Sequence, residues 1–113
     1  MGRRQELVTL YANELVEKCR MEPDDVLLEK IAVGCGPAIY HPDEQFVFAS
    51  RQGDLTGIKR NLLIRKLALE DGPELMAAIK SVLATYKAPE SQRYRAVVYY
   101  MLVKHFGREQ QYL

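Results

Sequence analysis

The segment 93–107, RYRAVVYYMLVKHFG, constrains the fold more than any other part of the chain. At about 100° per residue, Tyr94, Val97, Val98, Tyr99, Met101, Leu102, Val103 and Phe106 spread over most of a helix's circumference. Only a narrow strip holding Arg93 and Lys104 is polar. A helix that is apolar nearly all round either spans a membrane or lies at the centre of a globular fold. This one is shorter than the roughly 18 apolar residues of a span, and it is charged near both ends. It is therefore expected to be a central helix with other helices packed around it. Tyr99 and Tyr100 lie about 100° apart and face different neighbours. Each phenol oxygen then needs a hydrogen-bond partner or a route to water.

The rest of the chain reads as helices separated by clear punctuation. In a first helix over about residues 4–20, Leu7, Val8, Tyr11, Leu15 and Cys19 share one face, and Glu6, Thr9, Asn13, Glu17 and Arg20 share the other. Pro23 suits the first turn of a second helix, Asp24 and Asp25 favour its positive end, and GCGP stops it after Val33. Prolines and glycines argue against helix over residues 35–53. Within them, QFVFA reads as a short extended piece or one helical turn, and a strand without a partner forms no sheet. That segment is expected as an ordered, partly apolar connection. Asp54 reads as an N-cap for a third helix over about 55–68. That helix carries one stripe of Leu55, Ile58, Leu62 and Leu69 and another of Leu63, Ile64 and Leu67, so it should be buried on two sides. EDGPEL starts a fourth helix, with Asp71 or Gly72 as cap and Pro73 in the first turn. Its stripe is Leu75, Met76, Ile79, Val82, Leu83 and Tyr86, and Pro89 ends it. Ser91 is the expected cap of the fifth helix and Gly107 its closing C′ glycine. The expected architecture is all-α: a compact bundle of about five helices around the C-terminal one. Residues 1–113 form one domain, since no repeat or linker divides them.

Charge is distributed unevenly. Residues 1–56 carry six Lys/Arg against ten Asp/Glu, and residues 57–113 carry ten against five, although the whole chain is only +1. Either the halves neutralise each other across the fold, or the second half builds a basic face. The small net charge does not mark a nucleic-acid binder. Two cysteines, Cys19 and Cys35, are fewer than a disulfide scaffold of this length normally carries. MGRRQE lacks the apolar run of a signal peptide and the Ser or Thr of a myristoylation signal. A cytoplasmic, thiol-reduced protein is expected, with no membrane association.

Three stretches together resemble a known pattern. IKRNLLIRKLAL, an acidic turn and a helix, and then RYRAVVYYMLVKHFG resemble a domain-of-unknown-function family of small helical bacterial proteins. That family's pattern runs N-F-L-x-K-K-L-x-L, then a helix, then R-x-x-x-x-Y-Y-L-L-x-x-x-F-G. CGPAIYHPDEQFVFAS resembles the segment upstream of it. The resemblance covers roughly residues 30–107 and touches Asn61, Leu62, Leu63, Lys66, Leu67, Leu69, Arg95, Tyr99, Tyr100, Phe106 and Gly107. One leucine of the Leu62–Leu63 pair stands where the pattern has an aromatic, and Arg65 where it has a lysine. The resemblance implies a small, mostly helical, bacterial cytoplasmic protein. It implies no activity.

No catalytic residue, cofactor or metal is expected. The zinc candidates Cys19, Cys35, His41 and His105 lack the paired short spacing that fixes half a tetrahedron locally. Cys35 follows a helix C-terminus, whose partial negative charge raises a thiol pKa. The acidic pairs in PDD, HPDE and LED sit at helix starts and turns, where capping explains them. No Walker, dinucleotide, G-x-S-x-G or H-E-x-x-H pattern is present. Two binding roles remain. The first is a non-catalytic protein-interaction module, meeting a protein partner or a second copy through Ile39, Tyr40, Phe46 and Phe48 or through the tail REQQYL. The second is a nucleic-acid or other anionic partner, met through Lys59, Lys66, Arg93 and Lys104 on the third and fifth helices. An uncovered apolar patch would favour the first, and steep salt dependence the second.

Overall fold

A computed structural model describes residues 2–113 of the protein; the domain reading's first residue, Met1, lies outside them. Five helices follow in order: α1 (Arg3–Cys19), α2 (Asp25–Gly34), α3 (Gln52–Ile58), α4 (Pro73–Thr85) and α5 (Arg95–Phe106). α3 runs on without a break into a π-helical stretch, Lys59–Lys66. Short 3-10 turns occupy Gly36–Tyr40, Glu90–Gln92 and Glu109–Tyr112. The fold is all-α.

α5 is the central helix, as its composition requires. Ala96, Val97, Val98, Tyr100, Met101, Leu102 and Val103 are all buried, with α1, α2 and α4 packed against it. Burying each large apolar side chain contributes about 1.5–3 kcal/mol relative to leaving it exposed. The π-helical stretch packs on α4. α5 closes at Gly107 in the left-handed region, φ 64°, where a residue without a Cβ carries no steric penalty.

The helix boundaries show what tertiary structure adds to local signals. α2 is capped by Asp24, whose Oδ1 accepts from Leu27 N at 3.1 Å, so Pro23 precedes the helix instead of entering its first turn. Asp54 does not cap α3. The Arg51 carbonyl already accepts from Asp54 N and Leu55 N, and Asp54 Oδ2 turns back to accept from Phe48 N at 3.1 Å. α4 ends at Thr85, before Pro89, because Tyr86 leaves the helix with extended backbone. Ser91 lies in a 3-10 turn, and Tyr94 takes the N-cap position of α5.

Residues 41–51 acquire a partner that no local pattern announces. Phe46 and Tyr94 form an isolated antiparallel bridge. Val47 N donates to Arg93 O at 2.8 Å and Arg95 N to Gln45 O at 2.7 Å. Arg95 Nε also donates to Glu44 O at 2.7 Å, so the arginine that opens α5 holds the connection down.

Candidate functional site

α2 buries Leu27, Leu28, Ile31 and Ala32 and leaves Val26 and Val33 on its outer side, 61% and 51% exposed. These two valines are a heptad apart and share one line along the helix, with Glu29 and Lys30 between them. Two clefts flank that line. The first, about 330 Å³, lies between α1 and α2 and is lined by Val8, Ala12 and Val26 with Gln5, Thr9, Asn13, Asp25 and Glu29. The second, about 390 Å³, is lined by Arg4, Glu29, Lys30, Val33, Gly34, Lys66 and the tail Gln111–Leu113. Glu29 borders both clefts, so the outer face of α2 and its two grooves form one surface.

The tail reaches α2 because Gly34 lets it. A Cβ at that position would stand 3.1 Å from Tyr112 Cε1. Lys66 Nζ lies over the Tyr112 ring, 4.6 Å from its centroid, a cation–π contact. Leu113 beyond it is 64% exposed.

The first cleft has two carboxylates, Asp25 and Glu29, and no cation in its lining. Arg4 approaches Glu29 only at 4.0 Å, and both side chains are about half exposed, so this pair is weak. Ion pairing among the described residues stays within each half of the chain: Arg4–Glu29, Lys18–Glu14, His41–Glu44, Lys59–Asp71 and Lys104–Glu109. None of these crosses from the acidic first half to the basic second half. The halves do not neutralise each other by ion pairs among the described residues, and the α1–α2 surface keeps its acidic excess.

With that geometry in place, comparison with known proteins is informative at the family level. Over residues 10–110 the chain matches the model of a family described as a protein of unknown function, DUF2853. The chain belongs to the DUF2853 family. No curated protein matches it. The DUF2853 match takes in all of α2 together with Ala12 and Asn13 of the first cleft, and leaves Gln5, Val8, Thr9 and the tail Gln111–Leu113 outside.

The four basic residues singled out from the DUF2853 sequence are each engaged inside the molecule. Lys59 Nζ meets Asp71 Oδ1 at 2.9 Å, and this bond holds the Asp71 carboxyl below its ordinary pKa. Lys66 caps the Tyr112 ring. Arg93 Nε donates to Tyr86 O at 3.2 Å, and Lys104 Nζ lies 3.3 Å from Glu109 Oε2. Lys66, Arg93 and Lys104 border three different clefts.

The four apolar residues also separate. Ile39 is core, 2% exposed, and offers a partner no surface. The Phe46 ring packs 4.8 Å from that of Tyr94, and Phe48 lies under the Arg51 guanidinium at 3.8 Å. Tyr40 remains 43% exposed, with Arg3 at 5.8 Å from its ring. Val26 and Val33 are more exposed than any of these four. Their signal is in DVLLEKIAVG, where six apolar positions in ten exceed what one buried face can use.

Thiol chemistry has little support from the geometry. Burial pushes the Cys35 thiol up to about 12, with Arg95 opposing, and the Cys19 thiol also to about 12. Both stay protonated at neutral pH, and the thiolate is the nucleophile. His41 is exposed and faces Glu44 at 3.6 Å. Among the described residues no group of three His, Cys, Asp or Glu side chains could hold a metal. No helix among them is long and apolar enough to cross a membrane.

Proposed function

We propose that the protein is a non-catalytic interaction module, one domain over residues 1–113, that presents the outer face of α2 and the α1–α2 cleft to a protein partner. The observation that carries this is the exposure of Val26 and Val33 beside an apolar-floored groove. Val26 lines that groove together with Val8 and Ala12, and apolar side chains grouped along a surface groove mark an interaction site more than scattered ones do. The chemistry of the groove selects the partner. A floor of Val8, Ala12 and Val26 rimmed by Asp25 and Glu29 suits an amphipathic helix with apolar anchors and basic flanks. Tyr40 under Arg3 is a further exposed contact for that partner. The two cysteines, kept as thiols by burial, support a cytoplasmic setting. The anionic-partner alternative through Lys59, Lys66, Arg93 and Lys104 is weakened because Lys59, Lys66 and Lys104 are already engaged within the fold, and Lys66, Arg93 and Lys104 border three different clefts.

Two synthetic amphipathic helices with the same apolar face, one Lys-flanked and one Glu-flanked, test this by amide chemical-shift titration. The Lys-flanked peptide should shift amides across residues 5–13 and 25–33 in a saturable way. Val26→Glu should abolish that response, and the Glu-flanked peptide should give none. Shifts centred on the third and fifth helices, or equal binding of both peptides, would overturn the proposal. Retention of nucleic acid by the purified protein, lost in Lys59→Glu/Lys66→Glu, would favour the anionic alternative. Self-association on light scattering that Val26→Glu abolishes would name a second copy as the occupant.

A further inference from the structure

A further cleft lies apart from the α2 surface and shares no lining residue with its two grooves. It occupies about 300 Å³ and is lined by Ala49, Leu55, Lys80, Leu83, Ala84 and Arg93. Three segments distant in sequence supply it: the end of the 41–51 connection with α3, the C-terminal half of α4, and the residue ahead of the α5 N-cap. Leu55 and Leu83 are 3% and 4% exposed, so the floor is continuous with the core. Ala49 and Ala84 are small, and they leave the floor open where longer side chains would fill it.

We propose that this cleft binds a small amphipathic carboxylate, with its hydrocarbon body on the alanines and leucines and its head between Lys80 and Arg93. Every polar group in the lining is cationic, and the two cations come from different elements. Arg93 is held in place from behind. Its Nε donates to Tyr86 O, which leaves the two terminal guanidinium nitrogens as donors in a fixed plane. Lys80 takes part in none of the ion pairs among the described residues. Glu90 is a competing acid, and its carboxyl is held below its ordinary pKa chiefly by hydrogen bonds from Ser50, with Arg93 and Arg51 adding to the effect. Its Oε1 is committed to Ser50 N at 2.7 Å.

Size and lining narrow the ligand class. The volume stands at the lower end of the roughly 300–1,000 Å³ usual for small-molecule sites, which suits a short ligand. Nucleic acid is a poor fit, because there is no aromatic platform and only two cations. A neutral hydrocarbon would cover the floor and leave both cations without an anionic partner. A short carboxylate satisfies the floor and both cations together.

Amide chemical-shift titration with octanoate tests the site, with 1-octanol and acetate as body-only and head-only controls. Octanoate should bind saturably and shift residues 49, 55, 80, 83, 84 and 93, whereas neither control should saturate there. Ala84→Leu, on an exposed position of α4, should fill the cleft and abolish binding. Lys80→Gln, also exposed, should weaken octanoate by about tenfold, the usual scale of one lost charged hydrogen bond. Neither side chain supports the core, so both variants should keep the wild-type unfolding midpoint. Equal binding of octanol, or octanoate shifts that fall elsewhere or survive Ala84→Leu, would overturn the proposal. Binding by an acidic, apolar peptide with none by octanoate would reassign the cleft to a protein partner. Failure of the α2 surface to bind a basic helix would leave this result untouched.

Discussion

Tyr100 shows how one side chain can join two parts of a fold. Its ring is fully buried in α5, while its Oη accepts from Asp24 N at 2.8 Å and reaches Glu22 O at 3.5 Å. The N-cap residue of α2 therefore depends on a phenol from the central helix. Tyr100→Phe keeps the ring and removes both bonds, so the Asp24 amide loses its partner. The expected loss is about 1–2 kcal/mol, read as a lower urea midpoint with unchanged slope. Tyr86 works similarly. Its Oη donates to the buried Glu14 Oε1 at 2.5 Å and accepts from Tyr94 N at 3.3 Å, while Lys18 Nζ holds Glu14 Oε2 at 2.9 Å. Tyr86→Phe leaves both Glu14 and the Tyr94 amide short of a partner, and about 1–3 kcal/mol should be lost in the same measurement. The sequence requires a partner for each phenol but does not name it. Glu14 and Tyr86 lie 72 positions apart, and no local pattern links them.

At the scale of the element, α3 departs most from its sequence reading. Two apolar stripes on one helix correctly imply burial on two sides, and Leu55, Ile58, Leu62, Leu63 and Leu67 are all buried. The means of burial is a widened helix. Leu67 N donates to Leu62 O at 2.8 Å, five residues back instead of four. Ile58 and Leu63, and likewise Leu62 and Leu67, are five apart, so widening draws each pair toward one side. That spacing was visible in the sequence, but π-helix is too rare to be the expectation from it. Leu63→Ala should then cost about 2–5 kcal/mol, measured by urea unfolding, since its side chain is fully enclosed. The neighbouring Gly57 gives the opposite sign. It sits inside α3, and an added methyl would meet nothing within 4 Å. Gly57→Ala should raise stability by about 0.4–1 kcal/mol through the unfolded chain's lost freedom. A fall in midpoint for this variant would show that the join between α3 and the π-helical stretch needs a residue without a side chain.

For the whole molecule, the central helix was legible because its composition permits one soluble solution, whereas the proposed binding surface was not. Ile39, Phe46 and Phe48 are apolar residues in an irregular segment, and the bridge to Tyr94 and the Arg95 hydrogen bonds draw that segment inward. Long-range pairing of this kind has no period to read. Burial also sets how the whole fold responds to alkali. The Cys19 and Cys35 thiols are pushed from 9.0 up to about 12, in both cases chiefly by burial. Tyr86 is raised from 10.0 by burial and by its bond to Glu14. In the unfolded chain these groups release their protons near their ordinary values. The folded state therefore holds more protons above about pH 9, and linkage makes stability fall as pH rises through that range. The contribution is complete below about pH 9 and is lost progressively toward about pH 12. Urea midpoints at about pH 8 and pH 10.5 should show the drop, and Cys19→Ala/Cys35→Ala should make the midpoint less sensitive to pH over that interval. A wild-type midpoint unchanged across it would mean that the thiols open to water well before the helices separate, and that the groups around Cys35 form a local opening unit instead of part of the global core.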